Sequence, residues 1–241
     1  MSKIPVIDWR FGDKYYITEF ITPDTYMVEK VSKKLKCKTE KETIIKIAKY
    51  IRDNFYYPFN WRGYPSADAQ FLKSKKYPGN YHFKKCVDYM WLFPSETINV
   101  GFGICIDTSL LAVSLMRNLN INAWCCLGAI YDKREILLGY HAWVEFELYK
   151  KWFILETTIH EKDVCNIIKR EDGYTGRFGI RYDKYSEFNE KEYREYKPLI
   201  NFIQFFGKGK KEIQKMEKRK QKVIWKTYRK LHFKIHEVIN L

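Results

Sequence analysis

Gly101-Phe102-Gly103-Ile104-Cys105 runs without a break into Ile106-Asp107-Thr108-Ser109-Leu110-Leu111-Ala112-Val113-Ser114-Leu115-Met116-Arg117-Asn118. The apolar spacing predicts a helix from Ile106 to Asn118, ended by Asn120. A cysteine that follows a Gly-Phe-Gly turn and opens a helix sits in a special place. Unpaired N–H groups and the positive end of the helix dipole stabilise a thiolate there. The glycines allow close backbone approach, and first-turn N–H groups can receive an oxyanion. A thiolate nucleophile also needs a histidine to share its proton and a third group to orient that imidazole.

Downstream, three segments have strand character: Asn122–Tyr131, Tyr140–Leu148 and Trp152–Thr157. In the second, Ala142, Val144, Phe146 and Leu148 alternate with His141, Trp143, Glu145 and Glu147, so one face is apolar and the other polar. His141 lies near the start of the polar face, and Glu156 ends the following strand. Trp143 shares the face of His141, which makes it a candidate substrate contact, whereas Trp91, Trp124 and Trp152 read as core. A hairpin centred on Lys150 sets His141 opposite Ile159 and Glu156 opposite Val144. Direct contact between His141 and Glu156 then requires a diagonal pairing, a tighter turn or a bulge.

Taken together, these blocks resemble the transglutaminase-like superfamily. Pro94-Ser95-Glu96-Thr97 precedes Gly103-x-Cys105-x-Asp107, with Leu110, Leu111, Leu115, Arg117 and Asn120-Ile121-Asn122-Ala123 behind it. Gly139-Tyr140-His141-Ala142-Trp143-Val144-Glu145 and Lys151-Trp152-Phe153-Ile154-Leu155-Glu156-Thr157-Thr158 follow in the family's order. A helix from Glu40 to Asn54, opened by Thr39 and running into Phe55-Tyr56-Tyr57, resembles the one that precedes the family's catalytic region. The likeness spans about residues 40–160. It implies an α+β, papain-like core in which a cysteine at a helix N-terminus packs on an antiparallel sheet carrying histidine and acid. By this resemblance Cys105 is the nucleophile, His141 the general base and later acid, and Glu156 the orienting carboxylate. Gly103 lines the substrate side. Glu156 departs from the aspartate usual in the family by one methylene. The oxyanion partner stays open among Gln70, Asn99 and Trp91.

The remaining composition bounds the picture. The 241 residues are 46% hydrophobic and 17% aromatic, which excludes wholesale disorder. The formal charge is +15, but residues 208–241 hold 12 basic and 3 acidic residues, hence +9 of it. That stretch spaces Ile213, Met216, Ile224, Tyr228, Leu231, Ile235 and Val238 at helical intervals, and predicts a basic amphipathic helix after a catalytic domain of residues 1–207. Such a helix either docks by its apolar stripe or contacts polyanions. His232 and His236 stand four apart on it without an evident third ligand. The aromatic, proline- and glycine-bearing segment from Phe55 to Asn80 reads as a cleft wall. Residues 161–200 read as polar and Tyr-rich, with a loop around Gly173–Gly179. No apolar run spans a membrane and no leader is evident, so a cytoplasmic location is expected. The six cysteines form no CxxC pair, so zinc-ribbon spacing is absent, and the family resemblance implies neither a metal nor an organic cofactor. The expected activity is cysteine-dependent amide-bond hydrolysis on a peptide or protein. Transfer to an amine, acyl transfer, or an inactive binding module held on polyanions are the rivals.

Overall fold

Buried apolar residues on nearly every turn make the segment from Cys105 to Asn118 a central helix rather than a surface one. The computed structural model describes residues 4–10, 13–55, 57, 91–159, 165–197, 219–220, 222–224, 226–228 and 238–239. A short hairpin of β1 (Val6–Arg10) and β2 (Asp13–Tyr16) leads into α1 (Tyr26–Leu35) and α2 (Glu40–Asn54). After a gap come α3 (Pro94–Val100) and the central helix, α4 (Cys105–Asn118). The rest is mostly sheet: β3 (Ala123–Asp132), β4 (Leu137–Leu148), β5 (Lys151–Leu155), β6 (Ile167–Lys169), α5 (Arg170–Thr175), β7 (Ile180–Phe188) and β8 (Tyr193–Glu195). The fold is thus α+β, with a six-stranded antiparallel sheet in the order β6-β5-β4-β3-β7-β8.

The helix starts follow local chemistry. Thr39 caps α2 by accepting from the Glu42 N–H at 3.2 Å, while Glu42 accepts from the Thr39 N–H at 3.3 Å. Proline opens α3, and Gly101 ends it in the left-handed region at φ 71°. Helices α1, α2 and α4 bury Val28, Ile44, Ile47, Leu111 and Leu115 against Cys125, Leu127, Val144 and Phe146 of the sheet. This is the main core.

The other face of the sheet corrects the polar-face reading. His141, Trp143 and Glu145 are all fully buried, and Trp143 packs with Trp124, Ile154, Ile168, Tyr182, Ile224 and Tyr228 in a second core. Two elements cover that face: α5 with its following turn, and the C-terminal segment. Alternation alone reports that two faces differ, not that one is wet. The described residues of the C-terminal segment are helical; Ile224 and Tyr228 point into the second core while Arg219, Lys222 and Lys226 are exposed. That is a stripe-docked helix where it can be followed. Its boundary at residue 207, the His232–His236 pair, Gln70 and most of Phe55–Asn80 lie outside the described residues.

The polar, Tyr-rich stretch is built, over its described residues 165–197, of β6, α5, β7 and β8. Strand β7 pairs along β3, the middle of the sheet. Its register slips between Leu127 and Gly128, so Tyr185 bulges between Lys184 and Ser186. This turns both Lys184 and Glu187 towards Glu145, with Lys184 Nζ at 3.0 Å from Glu145 and 2.5 Å from Glu187. Helix α1 likewise has no counterpart in the sequence reading. Among the described residues no helix is long and apolar enough to cross a membrane.

Gly128 sits where β3 passes both β7 and His141. A Cβ there would lie 2.0 Å from the Asp183 carbonyl oxygen and 2.9 Å from Trp143 Cη2. Because backbone cannot retreat as a side-chain tip can, Gly128→Ala is expected to cost at least about 3 kcal/mol. Denaturant unfolding that finds the variant within about 0.5 kcal/mol of wild type contradicts this packing.

Candidate active site

Cys105 is the first residue of α4 and is 5% exposed. Its position depends on Asp107, two residues further on in the same turn. The buried Asp107 carboxylate accepts from the Ile104 N–H and the Leu92 N–H, both at 2.9 Å, and so ties the approach to the helix and the preceding segment together. Gly103 is required by this arrangement: a Cβ there would fall 2.7 Å from Asp107 Cβ. Gly103 therefore serves the turn that presents Cys105. Thr108, one turn along, bonds to Thr157 at 2.8 Å, and Ser109 lies 3.2 Å from the same hydroxyl. These buried hydroxyls stitch the helix bearing Cys105 to the chain just past Glu156.

The hairpin between β4 and β5 is tighter than one centred on Lys150. Leu148 pairs with Lys151, and Tyr149 and Lys150 form a two-residue turn with both residues at positive φ (53° and 60°). Val144 accordingly meets Leu155, not Glu156. Continuing the register sets Glu156 across from Trp143, one diagonal step from His141. Glu156 has left the ladder: its N–H donates to the Asn166 carbonyl at 2.8 Å. From there the carboxylate reaches His141 Nε2 at 2.8 Å.

Both partners are fully buried. Burial by itself lowers the His141 pKa, but the Glu156 charge, the nearby Cys105 and hydrogen bonding with both outweigh it and raise the pKa to about 9. Burial likewise works to raise the Glu156 pKa. His141 and two bonds from Thr158 outweigh that and hold the carboxyl below its ordinary value. Glu156 Oε1 accepts from the Thr158 N–H at 3.0 Å and its hydroxyl at 2.7 Å, and Oε2 also accepts from Tyr182 at 2.9 Å. With Nε2 engaged, Nδ1 is the ring nitrogen left for the thiol. Cys105 is close enough to bond and couple to the ring.

The structure therefore brings Cys105, His141 and Glu156 into one buried cluster. It does not place Trp143 at a substrate surface: the indole is fully buried and donates to Glu145 at 3.2 Å. Of the oxyanion candidates, Asn99 is exposed on α3 and Trp91 is buried edge-on against Phe20. Tyr182 is the site residue that sequence reading missed. It stands in a strand whose charges and bulge hide the alternation, and nothing sets it apart among 19 tyrosines.

One other group of ligand-type side chains lies on this face. Cys126, Glu145 and Glu187 are buried with their donor atoms within 4.8 Å of one another. The Lys184 ammonium already bridges the two carboxylates, and Glu145 also accepts from Tyr174. Burial, with the neighbouring carboxylates, holds the Cys126 thiol well above its ordinary pKa. A protonated thiol beside a resident cation is a neutralised polar cluster rather than a cation site.

The chain is distantly similar to several known proteins. A candidate cysteine protease of Cytophaga hutchinsonii covers 59% of this chain and 42% of its own, at 20% identity and a TM-score of 0.37. Legionella pneumophila LapG covers 74% and 88%, at 12% identity and a TM-score of 0.36. The UPF0252 protein of Methanocaldococcus jannaschii is 28% identical over 130 residues, 54% of this chain. The chain spans about a third (32%) of the length of that curated relative. Residues 26–169, more than half of the chain and all three residues of the cluster, match the transglutaminase-like domain family, and the chain belongs to it.

Proposed function

We propose that the protein is a cysteine-dependent amide-bond hydrolase acting on a peptide or protein, with Cys105 as nucleophile, His141 as proton carrier and Glu156 as its orienting acid. The observation that carries this reading is the 2.8 Å contact between His141 Nε2 and Glu156, which leaves the opposite ring nitrogen for a cysteine at a helix N-terminus. Family membership supports it.

In this reading the imidazolium stabilises the Cys105 thiolate, which attacks the substrate carbonyl carbon. The carbonyl electrons move onto oxygen, facing the N–H groups at the start of α4. Collapse of the tetrahedral adduct breaks the C–N bond, and His141 gives its proton to the departing amine. An acyl-thioester remains on Cys105. Neutral His141 then takes a proton from water, whose oxygen attacks the thioester; the acid leaves and the thiolate–imidazolium pair is restored. An amine entering in place of water would yield a transfer product, so both outcomes share one intermediate.

Thiol-directed labelling tests the nucleophile. Burial holds the Cys125, Cys126 and Cys165 thiols above their ordinary values, Cys165 at about 11. A haloacetamide at neutral pH, with adducts located by peptide mapping, should therefore modify Cys105 ahead of these three, and Cys105→Ala should remove that adduct while leaving the circular dichroism spectrum unchanged. Equal labelling of the variant sinks the assignment. Incubation with a glutamine-containing peptide, with and without a primary amine, should give mainly the hydrolysed product; a dominant amine adduct would favour transfer instead.

The pH dependence has a definite sign. His141 is raised from 6.5 to about 9, so its protonated form stabilises the fold fully below pH 6.5, and that contribution disappears as pH rises through about 9. Hydrolysis needs the same proton for the leaving amine, so cleavage should decline above about pH 9 although the thiolate persists. Glu156→Gln removes the charge that holds this proton. Its alkaline limb should move down towards the ordinary histidine range, with turnover reduced on the order of a hundredfold. An alkaline limb that does not move in the variant would separate Glu156 from His141 function.

A further inference from the structure

The Glu156 carboxylate is bound by a chain of hydroxyls that ends in the C-terminal segment. Tyr182 OH lies 2.9 Å from Glu156 Oε2 and 2.8 Å from Tyr228 OH. Both tyrosines are essentially without solvent contact, at 2% and 0% exposure. Burial, together with the Glu156 charge, pushes both phenols well above their ordinary pKa, so both keep their protons.

The direction of the chain follows from counting protons. An ionised carboxylate only accepts, so Tyr182 spends its single O–H on Glu156. The short Tyr182–Tyr228 contact then requires Tyr228 to be the donor. Two O–H dipoles thus point head to tail at the oxygen that also receives His141 Nε2–H. Each donor polarises the next, since hydrogen bonds in a row reinforce one another in a low-dielectric interior. The positive end of the row meets the Glu156 carboxylate.

We infer that Tyr182 and Tyr228 are positioning residues for the Cys105–His141–Glu156 cluster, the C-terminal helix thereby completing the site through Tyr228. The inference rests on the proposed catalytic reading of that cluster. The two hydroxyls do two things. They fix the rotamer of a glutamate that has left its strand and must reach diagonally to its histidine. They also draw charge from Oε2, which tempers its hold on the imidazolium and keeps the His141 proton transferable. Three observations fit this role together: the distances, the full burial, and the placement of both tyrosines on the sheet face that carries His141. A phenylalanine would fill the same space at either position: at 182 it would leave the carboxylate one donor short, and at 228 it would leave Tyr182 without the donor that polarises it.

The test needs no knowledge of the substrate. The rate of Cys105 alkylation by iodoacetamide is followed by mass spectrometry across pH 4–11 in the full chain, in Tyr182→Phe, in Tyr228→Phe and in the double variant. Wild type should show a thiolate plateau reaching to low pH and a second step at about 9, where His141 loses its proton. Removing a donor that draws charge from Glu156 strengthens the carboxylate's hold on the imidazolium and raises its pKa, so Tyr182→Phe should move that step upward by roughly half a pH unit or more. Tyr228→Phe should move it the same way by less, and the double variant should match Tyr182→Phe alone. Non-additivity is the signature of Tyr228 acting through Tyr182. Unmoved steps with only a lower melting temperature, or two shifts that add, would overturn the inference and leave the cluster's catalytic reading standing. A single wild-type step at the ordinary thiol value, about 8.5, would instead remove that reading and the inference with it. Should Tyr182→Phe fail to fold, the shift in Tyr228→Phe alone decides, since its hydroxyl never touches Glu156.

Discussion

A charged imidazole and a carboxylate can share a water-free interior only when the carboxylate's other lone pairs are also occupied, because desolvating two ions costs more than a single contact returns. The pair of His141 and Glu156 meets this condition from separate parts of the chain. Thr158 supplies two donors from the turn after β5, and Tyr182 supplies one from β7. The sheet order explains how they converge. Strands β4 and β7 flank β3, and Gly128 of β3 is opposite His141 on one side and Lys184 on the other. A side chain at that crossing would force apart the strands that must hold histidine and tyrosine on the same face.

The same constraint accounts for the Glu145 cluster, a short distance along β4. Its carboxylate is equally buried and draws donors from Trp143, Tyr174 and Lys184. Lys184 reaches it because of the bulge at Tyr185, without which Lys184 and Glu187 would face opposite sides of the sheet. The two buried carboxylates of β4 and β5 differ in one respect. Glu145 is neutralised by a cation that cannot readily give up its proton, since Glu145 and Glu187 hold the Lys184 pKa up despite burial. Glu156 is paired with a group whose pKa of about 9 leaves its proton transferable. One pair is structural by its chemistry, and the other is suited to proton traffic.

Much of this was legible in the residues. The Gly-Phe-Gly turn, the helix after it and the alternation around His141 together located Cys105 and His141, and Glu156 followed from the end of the next strand. Helix α2 also begins and ends where Thr39 and Asn54 indicated. What was not legible has physical causes. The register needed the exact turn, and Tyr149-Lys150 carries neither glycine nor asparagine to announce two left-handed residues. Trp143 looked exposed because alternation cannot see a second covering layer. Strand β7 was hidden by Arg181, Asp183, Lys184 and Glu187, charges that each have an ion-pair partner elsewhere in the fold. Lys197 holds Asp183 at 2.6 Å, and Arg181 holds Glu135.

The C-terminal charge excess illustrates why composition is a poor guide to placement. Read as a block, 12 basic residues suggest a solvated or polyanion-seeking tail. Yet Lys220, from the middle of that block, is 1% exposed, and its ammonium donates to the Tyr140 carbonyl at 3.3 Å, the residue before His141. Ile224 and Tyr228 follow it on the inward side at helical spacing, while Arg219, Lys222 and Lys226 face outward. Burying a lysine stem and a tyrosine here seals the sheet face on which His141 sits, and exclusion of water strengthens every interaction within. The matched family segment, residues 26–169, contains the nucleophile, the imidazole and the carboxylate, but neither Tyr182 nor the helix that covers them. Over its described residues the C-terminal segment is therefore a cover of the second core, with Arg219, Lys222 and Lys226 on its outer side.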